Sequence, residues 1–165
     1  SEFFDIALSS AKTTAMIMFI IANAMLFAHF LTMENVPQLI TQTLVEWNVD
    51  KIMFLIFVNI LLVVAGAFME PSAIIMIMVP LLLPVAVALG IDPIHFGIMI
   101  TINMELGMVS PPVGLNLFVT SGLTGMPMKD VVVATLPWTA TIFVGLMLVT
   151  YIPEISLWLP NLMYG

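Results

Sequence analysis

Long apolar runs separated by short polar breaks dominate the chain, and their lengths are those of membrane-crossing helices. The first, Thr13 to Thr32, is long enough to span a hydrocarbon core at about 1.5 Å of rise per residue. Asn23 and His29 are its strongly polar members. Asn23 is expected to hydrogen-bond to a neighbouring helix, and His29 to sit satisfied near the membrane interface. Residues 1–12, where Phe3, Phe4, Ile6 and Leu8 mix with Glu2, Asp5 and Lys12, read as a short interfacial lead-in. From Glu34 to Asp50 the pattern changes. Ile40, Leu44 and Trp47 recur at helical spacing among Gln38, Thr41, Gln42, Glu46 and Asn48, with Pro37 near the start. That predicts an amphipathic interfacial helix connecting two membrane units.

Two apolar arms follow, Ile52–Met69 and Ser72–Leu89, joined through Gly66-Ala-Phe-Met-Glu-Pro-Ser72. Each is slightly short for a comfortable span. Two readings stand: a re-entrant hairpin whose tip stays inside the membrane, or two ordinary spans with a tight turn. Glu70 distinguishes them, because at a hairpin tip it is a partly buried carboxylate that needs a partner. Pro80 and Pro84 are expected to kink the second arm. Gly90-Ile-Asp-Pro93 reads as a surface turn, with Asp92 as a helix N-cap and Pro93 at the first helical position.

The run from Phe96 to about Gly122 would cross as one helix but for its middle, Glu105-Leu-Gly-Met-Val-Ser-Pro-Pro-Val-Gly-Leu-Asn116. Pro111 and Pro112 lack backbone N–H groups, Pro112 disfavours helical conformation before it, and Gly107 and Gly114 weaken the helix on either side. The helix is expected to break there and leave backbone carbonyls and amides without intrahelical partners. Lipid cannot satisfy such groups, so they must be buried in protein or line a polar cavity. Broken helices at membrane depth are what secondary transporters use to hold ions and substrate. Gly122 to Lys129 reads as a loop. Asp130 to Tyr151 reads as a last span interrupted at Pro137-Trp138, and Pro153 to Gly165 as a tail carrying Trp158 and Tyr164 at the aromatic-belt position.

Composition settles the broad class. The chain is 62% hydrophobic and 8% charged, with a mean hydropathy of +1.20, whereas soluble domains are roughly a quarter charged. It is an all-α integral membrane protein. With a net charge of −7, three lysines and no arginine, it offers nothing to nucleic acid or to a polybasic lipid contact. No cysteine is present, which excludes disulfides, thiolate metal sites and a cysteine nucleophile. The parity of the spans puts Lys12 and Lys129 on one side and Lys51 with most acids on the other. Lysine excess then marks the first side as cytoplasmic and the C-terminus as external. The start at Ser1, without methionine or a signal-peptide n-region, is that expected of the C-terminal part of a longer polypeptide.

The combination Gly66-Ala-Phe-Met-Glu-Pro-Ser72, Pro80-x3-Pro84, Gly90-Ile-Asp-Pro-Ile-His-Phe-Gly97 and Gly107-Met-Val-Ser-Pro-Pro-Val-Gly114 resembles the large membrane subunit of tripartite ATP-independent periplasmic (TRAP) transporters. The resemblance covers nearly the whole chain and makes it the C-terminal half of that subunit. It implies the ion transporter superfamily, with inverted repeats and an elevator mechanism. The repeat in hand would comprise a scaffold helix and arm helix (1–50), half a transport domain (51–125, with the hairpin at 52–89 and the broken helix at 94–122), and a final helix with an external tail (126–165). The implied function is sodium symport of an organic acid such as sialic acid or a C4-dicarboxylate, in the bacterial inner membrane. The implied partners are a periplasmic substrate-binding protein, a small four-helix membrane subunit, the N-terminal half of the same subunit, and the lipid bilayer.

On that resemblance, the tip near Gly66 and the break near Ser110 meet to form a sodium site. The carbonyls of Gly66, Gly107 and Val113 and the Ser110 hydroxyl are the candidate oxygen ligands. An organic anion needs a cation or a helix N-terminus, and this chain has no arginine and no lysine at membrane depth. The helix restarting after Pro112, with Asn116 as a donor, is the candidate substrate contact, and the main cationic contact is expected in the N-terminal half. Two other classes compete. A membrane-embedded enzyme would use Glu70 and Glu105 for acid–base work, yet no paired carboxylates, HExxH or Ser/His/Asp constellation accompanies them. A non-transporting scaffold subunit would have no use for a helix broken at depth.

Overall fold

The computed structural model describes residues 2–47 and 49–164, and among them it has eight helices and no strand. In order these are α1 (Glu2–Met33), α2 (Val36–Glu46), α3 (Lys51–Phe68), α4 (Pro71–Ala88), α5 (Pro93–Met108), α6 (Leu115–Thr124), α7 (Met128–Tyr151) and α8 (Pro153–Tyr164). By length and composition α1, α3, α4 and α7 can each cross a membrane. The 32 residues of α1 and the 24 of α7 make helices of roughly 48 and 36 Å, whereas the 18-residue arms α3 and α4 reach only about 27 Å and the 16-residue α5 about 24 Å.

α3 and α5 run side by side in the same direction, Asn59 facing Asn103 and, two turns further along α3, Gly66 facing Gly107. Phe54, Leu55, Val58 and Leu62 of α3 and Phe96, Met99, Ile100 and Met104 of α5 fill the seam, with Phe54 and Phe96 stacked at 6.2 Å. α4 returns antiparallel to α3 and contributes Ile74, Leu82, Val85 and Ala86 to the same core. α1 lies along α4, with Met16 and Ile17 near Glu70–Ala73, and Asn23 and Phe27 near Ile77. The end of α7 reaches the middle of α3 through Thr150, and α8 reaches the start of α5 through Ser156. These contacts give the bundle two ends. The hairpin tip, the helix break, Lys12 and the start of α7 with Lys129 lie at one; α2, Lys51, the Gly90–Asp92 turn and α8 lie at the other.

Local chemistry explains most of the boundaries. Asp50, Glu70 and Asp92 each N-cap the helix they precede, accepting from the amides of Met53, of Ala73, and of Ile94 and His95 respectively. Pro71 and Pro93 begin their helices, where the missing N–H costs nothing. Asp92→Ala is expected to lower the stability of the purified protein by about 1 kcal/mol, as loss of an N-cap does. A thermal melt in detergent checks this, with Asp92→Asn retaining most of the stability.

Several expectations are corrected. Residues 2–12 are not a separate lead-in, because α1 is helical from Glu2. Asn23 bonds to the Phe19 carbonyl of its own helix at 2.7 Å, not to a neighbour. The arm helix is shorter than Glu34–Asp50, ending at Glu46; Asn48 lies outside the described residues. α7 is not interrupted at Pro137. Around Pro137 the hydroxyls of Thr135, Thr139 and Thr141 bond back to carbonyls of the preceding turns, one of the ways a membrane helix accommodates proline. The loop expected at Gly122–Lys129 shrinks to 125–127, since α6 runs to Thr124 and Gly125 ends it in left-handed conformation. The expected tail is helix α8, which Pro153 and Glu154 begin with proline and an acid in the first turn.

Candidate functional site

The tip of the α3–α4 hairpin and the break between α5 and α6 meet backbone to backbone. Gly66 and Gly107 are buried against each other so closely that a Cβ on Gly107 would lie 2.7 Å from the Cα and carbonyl carbon of Gly66. Beyond them the Gly114 amide donates to the Ala67 carbonyl at 3.0 Å, a second backbone tie between break and hairpin. The Pro111–Pro112 peptide in the break is cis. Gly114 has φ +52°, and its Cα lies so near Ser110 that a Cβ would stand 2.8 Å from the Ser110 carbonyl oxygen.

This geometry brings Gly66, Gly107, Ser110 and the segment carrying Val113 to one junction. Among the described residues the carbonyls of Gly66 and Val113 receive no N–H: Met69 donates to Ala65 instead, and Leu117 to Gly114. The Gly107 carbonyl does receive one, from Ser110 at 3.0 Å, and the Ser110 hydroxyl donates to Leu106 at 2.6 Å, which leaves that hydroxyl's lone pairs as its remaining function. The junction is thus rich in oxygen and carries no cationic side chain. Pro112 and Asn116 are exposed beside it. Gly114 gives α6 no side-chain cap, and the first amides of α6, at Leu115 and Asn116, find no acceptor among the described residues.

Glu70 does not match either expected role in full. Its carboxylate is exposed, caps α4 through Ala73 and accepts the Ser72 hydroxyl at 2.6 Å. It borders a cavity of about 330 Å³ between the tip and Met16, Ile17 and Ile20 of α1. Glu105 is exposed and makes no ion pair among the described residues.

Behind the junction lies a polar chain that sequence reasoning missed. Asn103 donates to Asn59 at 2.6 Å and to the Met99 carbonyl at 3.0 Å, and Asn59 donates to the Thr150 hydroxyl at 3.1 Å. A lone asparagine within the apolar arm Ile52–Met69 was the available signal for Asn59; Thr150, at the end of a span, gave none. At the start of α5, the Ser156 hydroxyl donates to Pro153 and so accepts the Nδ1–H of buried His95 at 2.8 Å.

A pair of short helical arms whose tip meets a helix broken at glycine and proline defines an all-α integral membrane protein of the hairpin-and-broken-helix kind. The family model "Tripartite ATP-independent periplasmic transporter, DctM component" matches residues 1–155, and the chain belongs to that family. Its relatives include the C4-dicarboxylate TRAP transporter large permease protein DctM of Pseudomonas aeruginosa, 56% identical over 161 residues (98% of this chain, 38% of that protein). The protein of the same description from Vibrio cholerae is 54% identical over 156 residues (94% of this chain, 34% of that protein). The sialic acid TRAP transporter large permease protein SiaM of Vibrio cholerae is 32% identical over 163 residues (99% of this chain, 38% of that protein). The chain spans little more than a third of the length of these relatives. Their names are those of transport permeases, not enzymes.

Proposed function

We propose that this chain forms the ion-coupling part of a secondary transporter that imports an organic acid anion with sodium. One observation carries the reading. Where the hairpin tip meets the helix break, the Gly66 and Val113 carbonyls are left without amide partners, and within a bilayer lipid would supply none. Sodium, a hard cation, satisfies such oxygens. Gly66, Gly107 and Val113 would hold it through their carbonyls and Ser110 through its hydroxyl oxygen. The hairpin is re-entrant on this reading: its arms of about 27 Å fall short of a full crossing once tilted.

The substrate's carboxylate would be received by the open N-terminus of α6, with the Asn116 amide beside it and Pro112 shaping the approach. Identity favours a C4-dicarboxylate over sialic acid, at 54–56% against 32% with the relatives so named. The hairpin and the α5–α6 pair move together past α1 in an elevator motion, within the bacterial inner membrane. A periplasmic binding protein delivers the substrate, a small four-helix subunit accompanies the permease, and a second, N-terminal half supplies the anion's main cationic contact.

Uptake of radiolabelled succinate into proteoliposomes containing the complete permease, its small subunit and binding protein tests this. Replacing external sodium by potassium is expected to lower the initial rate at least tenfold. Uptake that persists unchanged in potassium overturns the reading.

A further inference from the structure

Asn59, Asn103 and Thr150 are 5%, 0% and 1% exposed, and none takes part in the proposed ion site. We propose that this buried chain is a register pin: it fixes how far α3 slides along α5 and thereby sets the geometry in which the Gly66 and Gly107 backbones present their carbonyls. The proposal rests on the sodium-coupled reading above.

The argument is one of spacing. Asn59 and Gly66 are seven residues apart on one face of α3, and Asn103 and Gly107 four apart on one face of α5. The two parallel helices are therefore joined at two levels, Asn on Asn and Gly on Gly. Between these levels the seam is Leu62, Met104 and other apolar side chains. In a membrane such contacts give little preference among registers, because lipid solvates them as well as protein does. The glycine contact disfavours a slip, since another residue brought there would carry a Cβ into the seam, but it makes no hydrogen bond. The hydrogen bonds are directional, and a slip by one helical turn of about 5.4 Å would break both asparagine bonds and strand buried amides. A single buried asparagine fixes register in coiled coils by the same physics. Thr150 extends the pin to α7 by accepting an amide proton of Asn59, whose Oδ1 accepts from Asn103. Asn103 also grips its own helix at Met99, which holds its side chain toward α3.

A register pin and a merely stabilising polar cluster differ in what they control. The pin acts on the ion, the cluster on the amount of folded protein. The test uses sodium-dependence curves for succinate uptake by the complete transporter in proteoliposomes, with Thr150→Val, Thr150→Ser, Asn59→Leu and Asn103→Leu. Thr150→Val keeps the branched shape while removing the acceptor. It is expected to raise the sodium concentration for half-maximal uptake about 3- to 5-fold at an unchanged maximal rate, and Thr150→Ser to restore it. Asn103→Leu is expected to raise it 10-fold or more, and Asn59→Leu combined with Asn103→Leu no further, because the bond that joins α3 to α5 is already lost. Curves for Thr150→Val and Asn103→Leu that overlay the wild type, at matched protein, overturn the pin. If Asn103→Leu fails to insert, the Thr150 pair decides alone. Wild-type uptake indifferent to sodium instead overturns the coupling reading, and the two failures are thereby distinguished.

Discussion

Gly107→Ala is expected to reduce sodium-driven uptake about 100-fold, the equivalent of ~2.8 kcal/mol, while leaving the protein in the membrane at near-normal levels. The added Cβ would fall 2.7 Å from both the Cα and the carbonyl carbon of Gly66 and 3.2 Å from the Ala67 nitrogen, all backbone atoms that no rotamer change can move. α3 and α5 must part, and overpacking of this kind costs about 1–3 kcal/mol. Parting also displaces the Gly66 and Gly107 carbonyls and lengthens the Gly114–Ala67 bond, so the loss concentrates at the proposed ion site. Gly66→Ala is expected to be milder, since its Cβ meets the Gly107 Cα at 3.1 Å. Gly97→Ala, on the same α5 with nothing within 4 Å, is the control. Mid-helix alanine for glycine there is expected to be neutral or to stabilise by about 0.5–1 kcal/mol. Initial rates at graded sodium, normalised to protein in the liposomes, read the effect. A Gly107→Ala sodium curve indistinguishable from that of Gly97→Ala would remove the close approach from the mechanism.

The elements that meet at this junction were legible in the sequence because each is set by local backbone chemistry. Pro71, Pro93, Pro111, Pro112 and Gly114 act on their own residues and immediate neighbours, so the tip, the Asp92 cap and the break could be placed without knowing the fold. The juxtaposition of Gly66 with Gly107 followed only from the family resemblance, because nothing local links residues some forty positions apart. The polar chain was not legible, because Asn59 and Asn103 are each one polar residue in an apolar run, and their pairing depends on α3 and α5 running parallel. The interruption expected in α7 has a cause of another kind. Pro137 would interrupt a helix in water, whereas in the apolar α7 the chain continues through it. α8 is less legible, because Trp158 and Tyr164 suit an interfacial tail as well as a helix and only the Pro153-Glu154 pair marks its start.

The junction is built from backbone, so its weakest points are positions where any side chain intrudes. Gly114→Ala is accordingly the second large effect expected, about a 100-fold loss of uptake. Two costs coincide there. At φ +52° an alanine carries roughly 1–2 kcal/mol of left-handed strain. Its Cβ would also stand 2.8 Å from the Ser110 carbonyl oxygen and 2.9 Å from Leu117 Cδ1. Relief requires the break to open, which draws the Gly114 amide from Ala67 and moves the start of α6, where the substrate's carboxylate is to be received. Gly125→Ala separates the two costs. Gly125 has φ +71° with nothing within 4 Å, so it incurs the strain without the clash. It is expected to lower thermal stability by about 1 kcal/mol and to leave uptake within 2-fold of wild type. On the proposed function, the start of α6 receives the anion and the Gly66–Gly107 contact with the break holds the ion. Gly114→Ala, which disturbs both, should therefore raise the half-saturating concentrations of both succinate and sodium, where Gly107→Ala raises mainly that of sodium. Equal losses of uptake in Gly114→Ala and Gly125→Ala would mean that backbone strain alone is at work, and that the tie between break and hairpin does not couple the two ligands.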